Sequence, residues 1–540
     1  MVASAAPAVP ATGATAADEV PSERALALWR ALVRGFDRAF GPRANPLRQL
    51  GALAFLAFWL LAVSGLWLYA VLDTSAGGAY ASIDALSRRP WSPGALMRSL
   101  HRYAADAFVV FTALHLLCEW LHGRWRRWRR FSWWTGSALL PLLAVSAVGG
   151  FWLHWDRMGQ FSAIATAEWL DELPMLASPL ARNFLGAGAV SDRLFSLFVF
   201  VHLGVPLLML FGLWFHVQRL THAAVFPVRS LALGSTATLL ALAVAAPVAG
   251  QGPADLAQAP QLLALDWIVL FVHPLMYATS AGWTWALVAG AWLALLVLPL
   301  LPPRSPRTAR SPVAVVDPAN CNGCRRCFAD CPYAAITMVP HPNAHVGRQL
   351  AVVDADLCAG CGICAGACPS STPFRSIAEL ASGIDLPQQP IGALRRELQQ
   401  GLGAMAAPQA AHPIVVFACG QGAATAPLAA PDLLVMRLVC AGQLPPSFVE
   451  YALRDGAAGV VVAGCRDGGC AFRLGARWTA ERLAGQREPH LRADVPAERM
   501  CLVAADAGDE AVLREAVAAL RVRLPQIKAS AGPSPKIHHG

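Results

Sequence analysis

Four histidines stand in two pairs at a single spacing. His101 and His115 are 14 residues apart in the apolar stretch HRYAADAFVVFTALH, and His202 and His216 repeat that interval in HLGVPLLMLFGLWFH. Fourteen residues make nearly four helical turns, roughly 21 Å, so each pair lies close to one helix face at two depths. An ionisable ring inside an apolar helix is costly unless it has a partner. Haem iron accepts axial histidines, so four at matching depths would hold two bis-imidazole haems stacked across a bilayer. The outer haem would take His101 and His202, and the inner one His115 and His216. A lone intramembrane histidine is as well explained as a hydrogen-bonded core residue; two matched pairs are not. Gly51 and Gly65, and likewise Gly136 and Gly150, keep the same interval of 14. Missing side chains let a flat macrocycle approach the backbone, although small residues also serve plain helix packing in membranes.

Fourteen cysteines are present, and eight fall in CNGCRRCFADCP (321–332) and CAGCGICAGACP (358–369). Each run reads Cys-x2-Cys-x2-Cys-x3-Cys-Pro, the spacing of a bacterial ferredoxin with two [4Fe–4S] clusters, in which the fourth cysteine serves the other cluster. Cluster one would take Cys321, Cys324, Cys327 and Cys368; cluster two would take Cys358, Cys361, Cys364 and Cys331. Zinc leaves the repeated fourth cysteine and its proline unexplained, and disulfides do not suit a reducing cytoplasm. Four more cysteines, Cys419, Cys440, Cys465 and Cys470, lie at the ends of short β-rich runs. They are enough for one [2Fe–2S] site with four thiolate ligands, with buried free thiols in a sheet core as the alternative. Cys118 and Cys501 lack partners by pattern and read as structural.

The elements that must carry these residues follow from hydropathy. Of 540 residues 56% are hydrophobic and 14% charged, and the mean hydropathy is +0.46. The apolar runs are confined to 47–301, so a membrane domain is followed by soluble ones. Six stretches approach the ~20 residues needed to cross: 47–72, 95–121, 136–155, 193–218, 230–250 and 280–301. The shorter 262–278 reads as interfacial or re-entrant. Residues 1–22 read as a disordered tail. Residues 23–43 read as an amphipathic helix on an anionic membrane face or as the charged flank of the first span. The +9 formal charge needs no nucleic acid, because much of it flanks spans, as in GRWRRWRR (123–130) and PPRSPRTARSP (302–312). Positive loops stay in the cytoplasm, so both termini are expected there. Residues 313–375 form the ferredoxin unit and 376–412 a linker. From 413 to 525, runs such as IVVFAC and GVVVAGC alternate with helical stretches, predicting a small α/β domain with a largely parallel sheet; 526–540 is a tail.

Residues 45–303 resemble the cytochrome b subunit of respiratory and photosynthetic cytochrome bc complexes. The resemblance rests on LMRSLH (96–101), HLGVP (202–206), GGFWLHWDRMGQFSAIATAEWL (149–170) and QLLALDWIVLFVHPL (261–275). It implies that Arg98 meets a haem propionate, that 149–170 borders an outer quinol site, and that Asp266-Trp267 stands for the Glu-Trp of the Pro-Glu-Trp-Tyr region. His154 occupies a position usually held by Pro, and Asp156 and Arg157 replace a Gly-Gln pair. The candidate proton carriers at that site are Asp266, His154 and Asp156; the alternative for Asp266 is a helix cap. Relatives of this kind are commonly dimeric, which makes a homodimer one implied arrangement.

Cys419, Cys440-Ala-Gly and GCRDGGCAFRLG (464–475) resemble the delta subunit of methyl-viologen-reducing hydrogenase. That resemblance implies a [2Fe–2S] cluster and partners of flavoprotein, dehydrogenase or heterodisulfide-reductase type. The chain departs from it at Cys419-Gly-Gln-Gly422, where Cys-x-x-Cys is usual. The expected fold class is thus multidomain: an all-α transmembrane four-helix haem bundle plus two further helices, an α+β two-cluster ferredoxin, and a small α/β iron–sulfur domain. The expected function is that of a quinone oxidoreductase subunit in the bacterial cytoplasmic membrane. Electrons would pass from a cytoplasmic flavoprotein or dehydrogenase docked on the third domain, through the [2Fe–2S] and both [4Fe–4S] clusters, to two b haems and a membrane quinone. Quinol oxidation driving cytoplasmic reduction, and an electron wire whose quinone chemistry belongs to another subunit, remain alternatives. No Rossmann fingerprint supplies a nucleotide site in this chain.

Overall fold

A computed structural model describes residues 21–530 apart from 90, 175–178, 186–189, 261, 302–311, 345, 372–379 and 406–411. The expected tail over 1–20, most of the basic run at 302–312 and the end of the chain beyond 530 lie outside the described residues. The amphipathic helix expected at 23–43 is α1, Pro21–Phe40, with Trp29 buried and Leu28 and Phe40 exposed. The membrane half then runs α2 (Leu50–Val71), α3 (Ala79–Ser87), α4 (Pro93–Leu121), α5 (Arg130–His154), α6 (Arg157–Asp171), α7 (Asp192–Val217), α8 (Arg229–Ala245), α9 (Val272–Ala278) and α10 (Ala281–Val297). Where these helices start is set by local chemistry. Ser92, Ser191 and Ser280 cap α4, α7 and α10 through their hydroxyl oxygens, and Pro93 fills the first turn of α4, where no amide donor is required.

Among the described residues five helices, not six, are long and apolar enough to cross a membrane. The stretch expected at 230–250 forms only the 17-residue α8, about 26 Å long and short of a ~30 Å hydrocarbon core. The apolar stretch at 262–278 contributes only the seven-residue α9. Helix α2 packs along α4 and α5 along α7, which makes the four-helix core. Helix α10 is fastened to α5 by indole donors: Trp133 and Trp134 donate to the Leu295 and Leu296 carbonyls at 2.7 and 2.9 Å, and Trp292 donates to Ser137 O at 2.9 Å. Such bonds matter in lipid, where no water can take the polar group.

The ferredoxin unit has two small antiparallel sheets, β1 (Val315–Val316) with β4 (Ile384–Asp385) and β2 (Ile336–Pro340) with β3 (Gln349–Val353). One-turn helices α11 (Arg326–Ala329) and α12 (Ile363–Ala367) sit inside the two cysteine runs. Both follow a residue in the left-handed region, Arg325 at φ 65° and Gly362 at φ 77°. The equivalence of CNGCRRC and CAGCGIC is therefore structural as well as sequential.

The residues read as a linker are not all one. Within 376–412, Ile391–Met405 forms α13, and its Ile391, Leu394, Leu398 and Leu402 are buried in the third domain's core. That domain contains β5 (Ile414–Cys419), β6 (Leu433–Leu438), α14 (Ser447–Arg454), β7 (Gly459–Gly464), α15 (Gly475–Leu483), β8 (Met500–Ala504) and α16 (Glu510–Ser530). Residues 526–530, expected in the tail, continue α16. The sheet is four-stranded and parallel in the order β6-β5-β7-β8. Every residue of β5 and β7 is buried, as in a parallel sheet covered on both faces. Val415, Phe417, Val460 and Val462 face α13 and α14, while Val416, Val461 and their alternates face α16.

The ferredoxin and third domains are locked by one buried ion pair. Asp330, next to Cys331, accepts from Arg482 at 2.5 Å and from Arg487 at 2.7 Å, and Arg482 also donates to Gly442 O at 3.0 Å. Arg482→Met leaves Asp330 with Arg487 as its remaining partner and Gly442 O without its donor, so it should lower the stability of the soluble half by about 1–3 kcal/mol, seen as a lower denaturation midpoint. Combining it with Asp330→Asn should recover part of that loss.

Candidate functional site

The helix pairing turns the matched histidine intervals into matched rings. His101 on α4 faces His202 on α7 with ring centroids 6.4 Å apart, and His115 faces His216 at 6.5 Å. Each ring backs onto a glycine of the neighbouring helix. A Cβ on Gly65 would stand 3.0 Å from His101, on Gly150 3.1 Å from His202, on Gly51 3.2 Å from His115, and on Gly136 2.9 Å from His216. Three of the rings are also held through Nδ1. That atom lies 3.0 Å from Ser64 Oγ in His101, 3.0 Å from Ser146 O in His202 and 3.2 Å from Thr135 Oγ1 in His216. Anchoring Nδ1 leaves Nε2 as the free ligand atom.

This geometry suits a metal between the rings. A metal–imidazole bond of about 2.0 Å, plus about 1.2 Å from ring nitrogen to ring centre, puts two axial rings about 6.4 Å apart. In this structure the four glycines make room for the imidazole rings themselves.

At the His101–His202 end of the bundle, buried Arg98 donates to Ser87, and its Nη2 lies 3.2 Å from His154 Nε2. The His154 ring stacks on Tyr80 at 5.5 Å, and its Nδ1 is 3.1 Å from Asp156 Oδ2. Asp156 caps α6 by accepting from Gly159 N at 2.9 Å, and it also accepts from Gln251 N at 3.0 Å. Burial would raise this carboxyl, but the bonds from His154, Gln251 and Gly159 outweigh it and hold the pKa below the usual value. Asp266 stands apart from this group. Its Oδ1 accepts from Ile268 N and Val269 N, both at 2.9 Å, and its Oδ2 pairs with Arg102, which also holds Asp106 at 2.5 Å. The three candidate proton carriers therefore form two groups rather than one.

No sequence motif singles out His273 on α9, yet its side chain is buried, and Nε2 lies 2.9 Å from Thr166 Oγ1 on α6. Burial brings it down to about 4, so the ring is neutral. The available signal was an ionisable residue in an apolar run. Nearby, Tyr277 donates to Glu168 at 2.7 Å.

In the soluble half, one cavity is lined by Cys321, Cys324, Cys327 and Cys368, and another by Cys331, Cys358, Cys361 and Cys364. Each cavity thus takes three thiols from one run and one from the other. Burial pushes Cys327 up to about 12 and Cys364 well above its usual value. Thiolates there need positive charge beside them, which a metal cluster supplies. Cys419, Cys440, Cys465 and Cys470 gather at the carboxyl edge of the parallel sheet, where such folds place ligands. The Cys419 and Cys465 sulfurs are 3.7 Å apart, close to the roughly 3.8 Å between two thiolates on one tetrahedral metal with 2.3 Å bonds. Hydrogen bonds from Cys440 and Cys465 bring Cys419 down to about 3. Cys118, at the end of α4, and Cys501, in β8, line neither cavity and stand outside the four-thiol group.

The third domain was expected at the far end of the electron path, with the ferredoxin between it and the membrane. The contacts give another order. The loop after Cys465 lies against the membrane helices at their His115–His216 end. Gly468 packs on Arg48, Arg129 donates to Ala471 O at 3.2 Å, and Arg473 donates to Thr221 O at 3.1 Å. Arg473 also donates to Pro332 O at 2.7 Å, and Thr221 N donates to the same carbonyl at 3.3 Å. Next to it, buried Tyr333 packs on Trp128. All three segments thus meet at Thr221, shortly beyond His216 in the chain.

Residues 38–224 match the family model described as cytochrome b/b6/petB, 320–372 that of the 4Fe–4S dicluster domain, and 414–527 that of the methyl-viologen-reducing hydrogenase delta subunit. Cytochrome b6 of Heliobacterium mobile is 28% identical over 163 residues, which is 30% of this chain and 76% of the relative. A solved structure titled Hyperthermophilic respiratory Complex III aligns at 20% identity with a TM-score of 0.39, covering 50% of this chain and 81% of that one. The chain joins these three kinds of segment in one polypeptide. Haem b and 4Fe–4S clusters are the cofactors of a membrane electron-transfer subunit of this composition.

Asp156 has a pH signature. Its pKa in the fold is below the usual 3.8, so its stabilising contribution is complete above that value and is lost as pH falls through the folded value. Asp156→Asn should cost on the order of 1 kcal/mol at neutral pH. In melts of the purified protein the gap to wild type should close below about pH 4; a gap constant with pH would contradict this.

Proposed function

We propose that this chain is a membrane electron-transfer subunit linking a cytoplasmic redox partner to the quinone pool. Its carriers are one [2Fe–2S] cluster, two [4Fe–4S] clusters and two b haems. The observation that carries the reading is the pair of facing imidazoles at 6.4 and 6.5 Å, each ring backed by a glycine, on a bundle whose helix ends meet the loop after Cys465 and the Pro332–Tyr333 segment of the ferredoxin unit. His101 and His202 hold the outer haem, His115 and His216 the inner one. Cys321, Cys324, Cys327 and Cys368 hold one [4Fe–4S] cluster, and Cys331, Cys358, Cys361 and Cys364 the other. Cys419, Cys440, Cys465 and Cys470 hold the [2Fe–2S] cluster. These groups supply one-electron redox chemistry when bound, and the residues of this chain hold them in place.

The soluble half is assigned to the cytoplasm because arginines crowd the loops after α4 and α7, and positive loops stay inside. Electrons moving outward then travel with a normal membrane potential, worth about 2.3 kcal/mol per charge per 100 mV. This favours reduction of quinone by the cytoplasmic partner. At the outer end, Arg98 would meet a propionate, and protons would pass through His154 or Asp266.

A second reading, an electron wire whose quinone chemistry belongs to another subunit, is favoured by Asp266, whose oxygens are both engaged in capping and in the pair with Arg102. Two measurements test these readings. In the pyridine haemochrome assay His216→Ala should fall from two haems per chain to one, and the surviving haem should be lost from His202→Ala; an unchanged count in both would end the haem assignment. Asp266→Asn should slow haem oxidation by a short-chain quinone at least tenfold. An unchanged rate selects the wire.

A further inference from the structure

We propose that the face around Cys324 is the port where a soluble one-electron carrier with an acidic surface exchanges electrons with this chain. The inference rests on the cluster assignment above and adds where the path opens to solvent. Among the fourteen cysteines Cys324 is the exposed one. The other two cysteine sites are covered. The four-thiol site of the third domain is closed by the loop that packs on Arg48, Arg129 and Thr221. The cavity of Cys331, Cys358, Cys361 and Cys364 is also lined by Tyr333, whose ring meets Trp128 at 6.0 Å.

The three sites form a series. Cys361 packs in one buried cluster with Cys440 of the third domain, and Cys364 in another with Cys327 of the other cavity. The site containing Cys324 therefore lies at the end of the series remote from the membrane. Electron tunnelling falls off exponentially with distance, so a partner must approach the end that solvent reaches.

The chemistry of the face says what kind of partner that is. Exposed Arg325, in the left-handed region, places its guanidinium over the Phe328 ring at 5.6 Å, and Phe328 is 42% exposed. A Cβ on Gly347 would stand 2.8 Å from the Asn322 backbone, which brings Arg348 to the same rim. The carboxylates beside this face are occupied locally: Glu488 pairs with Arg326 at 3.2 Å, and Asp317 accepts from Asn320 at 2.6 Å. An apolar centre inside a cationic rim suits a brief encounter with an anionic protein, steered by charge. Each encounter moves one electron: the carrier loses one and the cluster gains one, or the reverse, with no bond made or broken.

The test uses the full-length, cofactor-loaded protein in nanodiscs and, as probe, an acidic bacterial two-[4Fe–4S] ferredoxin. Surface plasmon resonance should show binding that weakens as salt rises, and R325E/R348E should raise Kd at least tenfold with unchanged EPR cluster signals. R437E, on β6 of the third domain, changes an exposed residue outside the ferredoxin unit and should bind as wild type. A gadolinium chelate in solution should speed relaxation of the [4Fe–4S] signal that Cys324→Ser alters, more than that of any other cluster. Unchanged affinity in R325E/R348E, loss of affinity in R437E, or strongest relaxation of the [2Fe–2S] signal would each overturn the port. Absence of [4Fe–4S] signals from the wild type would instead overturn the cluster assignment beneath it.

Discussion

Each of the four paired histidine rings lies against a glycine on the helix beside it, and the membrane half is arranged around that contact. At Gly136 and Gly65 a single added carbon would come within 2.9 and 3.0 Å of an imidazole, so there is no slack between helix and ring. The interval of 14 residues repeats on four helices because both partners of each contact must recur after nearly four turns. With α2 registered on α4 and α5 on α7, the imidazoles face one another across the bundle. Helix α10 stands outside this arrangement and is held by indole-to-carbonyl bonds instead.

Below the bundle, a second group of contacts fixes the soluble domains. Arg473 reaches the backbone of both Pro332 and Thr221, and Asp330 is shared by Arg482 and Arg487. The donors are arginines and most acceptors are main-chain carbonyls or a buried carboxylate. A planar guanidinium with several donors can join three segments at one point where a lysine could not. The peptide order of the chain, membrane then ferredoxin then third domain, is consequently not its spatial order. The third domain's cysteine loop folds back to the membrane face, and the ferredoxin is held against its flank.

Much of this was legible in the residues. Hydropathy separated membrane from soluble parts, and strand-like runs ending in cysteine announced a parallel α/β domain. Other features were not. The segment at 230–250 is apolar enough for a span but forms a helix of 17 residues, because composition does not say where a helix stops. Residues 391–405 looked like linker because Gln, Arg and Gly dilute the pattern, yet four aliphatic residues at helical spacing bury themselves under the sheet. His273 was hidden by its apolar neighbours. Asp156 and Asp266 looked like companions at one site; their hydrogen bonds assign them to separate groups, the first around His154 and the second around Arg102.

Periodicity and spacing are local properties, so the sequence alone determined which residues lie at one depth of a helix and which thiols belong to one run. Contacts between segments distant in the chain depend on how helices and domains close upon one another. Only the tertiary structure therefore decided that the third domain lies next to the membrane, that Asp266 is taken up by Arg102, and that Cys324 is the thiol left facing solvent. Burial decides such questions, and burial is a property of the assembled chain rather than of any stretch within it.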